Sequence, residues 1–283
     1  EVLQEWNLGW SCVGIEQAYL PQSRYVRLTE SGALPATASV SDATALMERL
    51  RSVKTAEEIA LMRKAADIAR VGMETAVRAI LEGATEIEVA GAGELAMREA
   101  GAEGIFHTCV LSGPRSALAF AHPTTRRIAR GDVVVVDVHP IVEGYHADLC
   151  RTISLGDATG EERAAFNAYL HAHEAAVEAC RPGATVHDIE STFTRTLGET
   201  GHAPLLFGPV VRGIGMEYAE PPMVLRGSGT TRKAHEVELP ANAVVVLGSG
   251  LIARSAFAVR MEDTLLVGED GPRELATCPR RLV

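Results

Sequence analysis

The chain has 283 residues, 47% of them apolar and 23% charged, enough for one large domain or two smaller ones with a sizeable core. Its formal net charge of −10 argues against nucleic acid or an acidic membrane as partner, because phosphate contacts need clustered Lys and Arg. No apolar run approaches the roughly 20 residues of a membrane-spanning helix. The five cysteines, Cys12, Cys109, Cys150, Cys180 and Cys278, are scattered and form no C-x-x-C. That pattern favours free thiols in a reducing cytoplasm over a disulfide frame or a zinc site. The chain opens on Glu1-Val2-Leu3 rather than Met and enters apolar sequence at once, which reads as a trimmed or processed start.

Residues 1–45 hold short apolar bursts, Trp10 to Ile15 and Tyr25 to Leu28, broken by Gly and Pro. They read as strand and loop pieces. Further on, Ile59, Met62, Ala66, Ala69, Met73, Val77 and Ile80 recur every three or four residues, the period of an amphipathic helix. Thr55 with Glu58 three positions later predicts a capping box at its start, and Gly83 a stop at its end. A second helix is predicted from Glu86 to about Ala100. Strands follow at Ile105 to Leu111, Ala117 to Ala121, Val133 to Val138 and Ile153 to Leu155. The Val133–Val136 run, after Gly131-Asp132, has the look of a buried strand. Helices are expected within 159–181 and 186–200, then strands at 205–211, 243–247, 256–261 and 264–267.

Gly83-Ala84-Thr85 follows a long helix and precedes Glu86-Ile87-Glu88, and Gly183-Ala184-Thr185 follows a long helix and precedes Asp188-Ile189-Glu190. Each triplet introduces a shorter helix and then strands. The order predicts two related helix–helix–sheet halves, with a site between them drawing residues from both.

Three carboxylates stand in or beside strand-like apolar runs: Asp137 closes VVVVD, Asp148 lies in YHADLCRT, and Glu262 lies in AVRMEDTLLV. A carboxylate in such a place is costly without a cation, a metal or donors beside it. Arg212 stands just before Gly213-Ile214-Gly215, a tight turn that lacks both the dinucleotide fingerprint and a P-loop lysine. His139 and His146 lie two residues from Asp137 and Asp148, a spacing that shares a strand face.

On the residues LRSVKTAEEIALMRKAADIA, AFAHPTTRRIARGDVVVVDVHPIVEGYHADLCRT, the GIG of VRGIGMEYAEPP, and VRMEDTLLV, the chain resembles the pita-bread family of creatinase, prolidase, aminopeptidase P and methionine aminopeptidase (M24-type). The resemblance runs from about Arg49 to the C-terminus. It implies an α/β (α+β) fold of two pseudo-symmetric helix–helix–sheet halves with a curved antiparallel sheet. It also implies that residues 1–45 are the remnant of an N-terminal creatinase-type domain plus linker, and that 46–283 form the catalytic-type domain. Metal-dependent members bind two divalent ions through two Asp, one His and two Glu. Asp137, Asp148 and Glu262 match three of these. Arg212 stands where the His is expected, Gly248 where one Glu is expected, and Ala219 where a second His would precede Glu220.

From these departures the expectation is a metal-independent, creatinase-like hydrolase or lyase. It would act on a C–N bond of a small amide, amidine or amino-acid derivative, or a short peptide. His122, matching an acid–base histidine of creatinase, is the expected catalytic residue. Arg212, Asp137, Asp148, Glu262, His139 and Glu220 are expected to bind substrate, His107 less strongly so, and no cofactor is expected. Arg212 would supply a fixed cation in place of an ion. Two alternatives stand beside this: an aminopeptidase P-like peptidase with one Mn, Fe or Co ion on Asp137, Asp148 and Glu262, and an inactive peptide-binding module. The resemblance further implies a homodimer, beside the cytoplasmic location read from the cysteines.

Overall fold

Four helices of the chain begin with the same device. Thr55, Thr85, Thr159 and Thr185 each accept a hydrogen bond from the backbone N–H three residues on, while the acidic side chain there (Glu58, Glu88, Glu162 or Asp188) accepts from the threonine's own N–H. Two orphan donors are satisfied at each helix start. The computed structural model describes residues 12–32, 34, 38–223 and 237–282, and these divide between two compact units, residues 1–51 and 52–283.

In the first unit, strand β1 (Cys12–Ile15) and helix α1 (Gln22–Glu30) precede β2 (Ser39–Asp42) and α2 (Thr44–Ser52). β1 pairs parallel with β2. Tyr25 to Leu28, expected as a strand, lies inside α1. Pro21 supplies the fixed φ of a helix start, and none of the helix is buried, so the short apolar run had no core face to align with. Trp10 and Ser11 lie outside the described residues.

The second unit opens with α3 (Ala56–Ala79) and α4 (Glu86–Glu99), then β3 (Gly104–Ser112), β4 (Val133–Val142), β5 (Tyr145–His146) and β6 (Leu149–Ser154). The second pair of helices is α5 (Gly160–Ala179) and α6 (Val186–Glu199). After it come β7 (Leu206–Phe207), β8 (Val211–Gly213), β9 (Val244–Leu247), β10 (Leu251–Ala253), β11 (Ala258–Val259), β12 (Asp263–Gly268) and β13 (Gly271–Glu274). β4 lies between β3 and β6, all antiparallel, and its outer end pairs with β5. The second half repeats this as an antiparallel sheet in the order β13-β12-β9-β8, with a small sheet β11-β10-β7 beside it.

The expected duplication is present down to backbone hydrogen bonds. Gly83 N–H donates to Ile128 and Ile128 N–H to Ala84, while Gly183 N–H donates to Leu239 and Leu239 N–H to Ala184. Both glycines hold positive φ, 87° and 84°, which glycine adopts without strain. Each half buries its own core: Met62, Met73, Met97 and Val134 in the first, Phe166, Tyr169, Phe193 and Val245 in the second.

Three expected strands are corrected. Residues 117–121 are not a strand: Gly113-Pro114 opens a 3-10 turn, Gly113–Ala117, that runs into loop. The run 205–211 is broken into β7 and β8 around Gly208, whose φ is 96°, and Pro209, which cannot donate to a ladder. In 256–261 only Ala258 and Val259 form a strand. Among the described residues no helix is long and apolar enough to cross a membrane. All five cysteines are free, Cys12 exposed and the other four buried.

Candidate metal centre

The two sheets touch through an isolated bridge between Cys150 of β6 and Glu262, just before β12. On β4, Asp137 pairs with Cys109 of β3 on one side and Cys150 on the other. This register brings Asp137 and Glu262 to one place from opposite halves, although 125 residues separate them in the chain (262 − 137). Asp148 enters from the turn between β5 and β6, with its N–H fixed by Thr264 Oγ1 at 3.0 Å.

His139 follows Asp137 by two and shares its strand face. Its side chain is fully buried, with Nε2 3.1 Å from Asp137 Oδ1 and 3.4 Å from Asp148 Oδ2. Nδ1 lies 2.7 Å from the His107 carbonyl. A carbonyl can only accept, so Nδ1 carries a proton, and Nε2 is the ring atom turned toward the two carboxylates. Burial alone would lower the His139 pKa, but Asp137 and Asp148 outweigh it and raise the value well above the ordinary one. The same field attracts any cation.

Two arginines complete the cluster, both from the second half. Arg212 of β8 is buried; it donates to Asp148 Oδ2 and to the Tyr218 carbonyl, with its guanidinium 4.0 Å above the Tyr218 ring. Arg260 donates to Asp137 Oδ2 and to the Ala119 carbonyl, and its Nε lies 3.4 Å from Glu262 Oε2. The expected fixed cation is therefore at Asp148 alone, and a second, unforeseen one neutralises Asp137 and Glu262. Sequence carried a signal for Arg260: it stands two residues before Glu262, on the same face of an extended chain. Against burial, the His139 ring and the Arg260 guanidinium hold Asp137 below the usual carboxylate range. Burial first, and then the Asp148 carboxylate, push Glu262 up to about 8.

Five side-chain atoms of this cluster are buried outside hydrogen-bond geometry: Asp137 Oδ1, His139 Nε2, Asp148 Oδ1, Arg260 Nε and Glu262 Oε2. Among them His139 Nε2 faces Asp137 Oδ1, and Arg260 Nε faces Glu262 Oε2, as ion pairs only. Unpaired buried polar atoms are costly. Ligand atoms of Asp137, His139 and Asp148 all lie within 4.8 Å of one another. An ion about 2.1 Å from each of its ligands sets neighbouring ligand atoms roughly 3–3.5 Å apart, which the His139 contacts match. Two carboxylates and an imidazole suit Mn, Fe, Co or Zn. The residues fit one ion. A second group, Asp137, Cys150 and Glu262, suits an ion less: Arg260 already lies between the two carboxylates, and burial pushes the Cys150 thiol well above its ordinary value.

The other expected residues lie as follows. His122 is exposed in the loop after the 3-10 turn, its ring centroid 4.8 Å from that of His107. His107 is in turn 6.3 Å from His139. Both His122 and His107 line a cleft of about 510 Å³ together with Phe106, Thr108, Arg98 and Pro123. Glu220 is buried against Lys54, Nζ to Oε1 2.7 Å, and takes no part in the carboxylate cluster. His146 lies with Nδ1 3.2 Å from the Gly215 carbonyl. Gly248 has a φ of 98°, and a Cβ there would lie 1.8 Å from the Met261 carbonyl oxygen. The backbone at that site is built for glycine and excludes any longer residue.

Residues 60–269 match the model of metallopeptidase family M24. The chain belongs to that family. It is 33% identical over 239 residues to the Xaa-Pro dipeptidase of Pyrococcus furiosus, spanning 84% of this chain and 67% of that protein. It is 30% identical to the Pyrococcus horikoshii enzyme of the same name, over 97% of this chain and 76% of that protein. Among solved structures, the prolidase from Pyrococcus horikoshii OT3 superposes with a TM-score of 0.89 at 28% identity, covering 100% of this chain and 79% of that one. The X-Pro aminopeptidase from Thermotoga maritima gives 0.89 at 27% identity, covering 99% and 76%.

M24 membership overturns two expectations: the metal-independent, creatinase-like chemistry, and the absence of any cofactor. The family is one of metallopeptidases, and the buried Asp137, His139 and Asp148 form a candidate ligand set. Arg212 and Gly248 stand where ligands are expected, and His139, expected to bind substrate, instead brings an imidazole from β4 beside Asp137 and Asp148. Motif positions alone do not show that β4 carries its ring to the same space.

Proposed function

We propose that this M24 hydrolase is a peptidase of short peptides that works with one divalent ion, held by Asp137, His139 and Asp148. Xaa-Pro dipeptides are the first candidates, because the relatives are named for that substrate. The observation that carries the reading is the convergence of ligand atoms from those three buried residues to within 4.8 Å of one another. In this reading His139 takes over the ligand role vacated at position 212, and Arg260 stands between Asp137 and Glu262, where a second ion would have shared both carboxylates.

When bound, the ion supplies Lewis-acid activation of the scissile carbonyl. The chain's own residues do the rest. Arg212 and Arg260 donate to Asp148 and Asp137 and fix the carboxylate planes. The His107 carbonyl holds the His139 tautomer that presents Nε2. Phe106 and Tyr218, stacked with centroids 4.5 Å apart, flank the His139 ring. His122, in the cleft wall, hands a proton to the departing amine.

The test is metal counting joined to turnover. Protein stripped with chelator and reloaded with Mn, Co or Zn should retain about one ion per chain and hydrolyse Xaa-Pro dipeptides only when loaded. His139→Ala should lose both the ion and the activity. Two ions per chain, or full turnover in excess chelator, would overturn the proposal.

A further inference from the structure

Glu86 is the first residue of α4, and its side chain is completely buried. A buried carboxylate is costly unless donors surround it. Here Oε1 accepts from Ser112 N–H and Ser112 Oγ, both at 2.8 Å. Oε2 accepts from Thr124 N–H at 3.0 Å and Thr124 Oγ1 at 2.8 Å. Arg115 Nε reaches both oxygens, at 3.3 and 3.1 Å, and the same guanidinium donates through Nη2 to the carbonyl of His122 at 2.9 Å. One side chain thus ties the end of β3, the 3-10 turn and the His122-Pro123-Thr124 segment into a single unit.

The fold does not require this carboxylate. The other half has Val186 in the same place, after Gly183-Ala184-Thr185 and behind the same capping box. Val186 is fully buried in that half's apolar core. Its backbone bond is preserved, Val186 N–H to Val237 as Glu86 N–H to Arg126. An apolar residue therefore satisfies the repeat, and the half that carries His122 departs from it.

We propose that Glu86 is a positioning residue for peptide hydrolysis: it pins the loop from Ser112 to Thr124 and so sets His122 against the cleft. The inference rests on the role proposed above for His122. Glu86→Gln keeps the shape but must turn an amide NH2 toward either the Ser112 or the Thr124 backbone N–H, so one donor always meets a donor. The loop then shifts, and a displacement on the order of 1 Å costs up to about 100-fold in rate.

The experiment compares wild type, Glu86→Gln, His122→Ala and the double variant, each loaded with metal and assayed on an Xaa-Pro dipeptide. Glu86→Gln should lower kcat by on the order of 10- to 100-fold, with KM and metal content little changed. The double variant should be no slower than His122→Ala alone, because a residue acting through another adds nothing once that residue is gone. Wild-type kcat in Glu86→Gln, or additive losses in the double variant, would sink the inference while leaving the peptidase reading intact. Wild-type turnover in His122→Ala would instead remove the role proposed for His122, and this inference with it. If Glu86→Gln gives no cooperative melt, Thr124→Val decides. It removes one side-chain donor from the carboxylate and should show the same kcat loss and the same non-additivity with His122→Ala; unchanged kcat there overturns the inference.

Discussion

At Gly248, a single backbone angle decides what the site can hold. The chain turns through the left-handed region at a φ of 98°, with Met261 O where a Cβ would stand. Gly248→Ala should therefore lower stability by about 3 kcal/mol or more, from strain and overlap together, read as a drop in the urea midpoint. Gly248→Glu paired with Arg212→His should fold poorly and should not raise metal content above one ion per chain. Glu86 offers a second residue-scale outcome. Burial opposes its ionisation, but hydrogen bonds from Thr124 and Ser112 outweigh burial and hold its folded-state pKa below the ordinary value. A depressed carboxylate stabilises the fold at pH above its unfolded pKa, about 4.3, and the contribution disappears as pH falls through the folded value. Arg115 is the charged side chain in contact with it. Thermal melts from pH 6 to pH 3 should show Glu86→Gln losing less stability on acidification than wild type.

The helices were open to sequence reasoning because their signals are local. Apolar spacing of three and four, a threonine with an acid three residues on, and a glycine after the last turn are each read within one element. α4 through α6 begin and end within two residues of expectation, and α3 begins where expected after Thr55 but ends at Ala79, four residues short of the expected stop at Gly83. Removing such a local device has a local effect, and Thr185→Ala should cost about 1 kcal/mol, visible as a small shift in melting temperature without loss of metal. Short strands behaved differently. β7, β10 and β11 have two or three residues each, too few for a period to show. They exist because a neighbouring strand offers a partner, which the local sequence does not encode. Tyr25 to Leu28 failed for the converse reason: the apolar run looked like a strand, but it pairs with neither β1 nor β2 and lies in the helix that starts after Pro21.

Across the whole molecule, the two halves are joined by charge. The first half contributes Asp137, His139 and Asp148, and the second contributes Arg212, Arg260 and Glu262. A further buried network lies at the same junction. Asp263 pairs with Arg151 at 2.6 Å, with Arg280 at 2.8 Å and with His173 at 3.3 Å. Arg151 also donates to the Cys150 and Glu262 carbonyls, so it clamps the bridge between the sheets from the face opposite the carboxylates. Asp263→Asn leaves these cations without their counter-charge and should cost roughly 3–5 kcal/mol, measured by urea unfolding. Because the three ligands proposed for the ion, Asp137, His139 and Asp148, converge only in the folded chain, saturating metal should raise the melting temperature. About 100 times the dissociation constant corresponds to ~2.7 kcal/mol, and His139→Ala should abolish that increase.

Sequence alone determined the family, the duplicated helix–helix–sheet plan and the set of strand-borne carboxylates, since each rests on local pattern or ordered motif. It also identified the unusual Arg212 and Gly248. What it could not weigh was which side chains meet. The pairing of Arg260 with Asp137, the seclusion of Glu220 against Lys54 and the aim of His139 into the ligand space depend on strand register and on contact between the halves. Those are long-range facts, fixed when β4 pairs with β6 and Cys150 bridges to Glu262. Tertiary structure thus set a buried imidazole, His139, beside Asp137 and Asp148, where motif positions had shown only departures at Arg212 and Gly248.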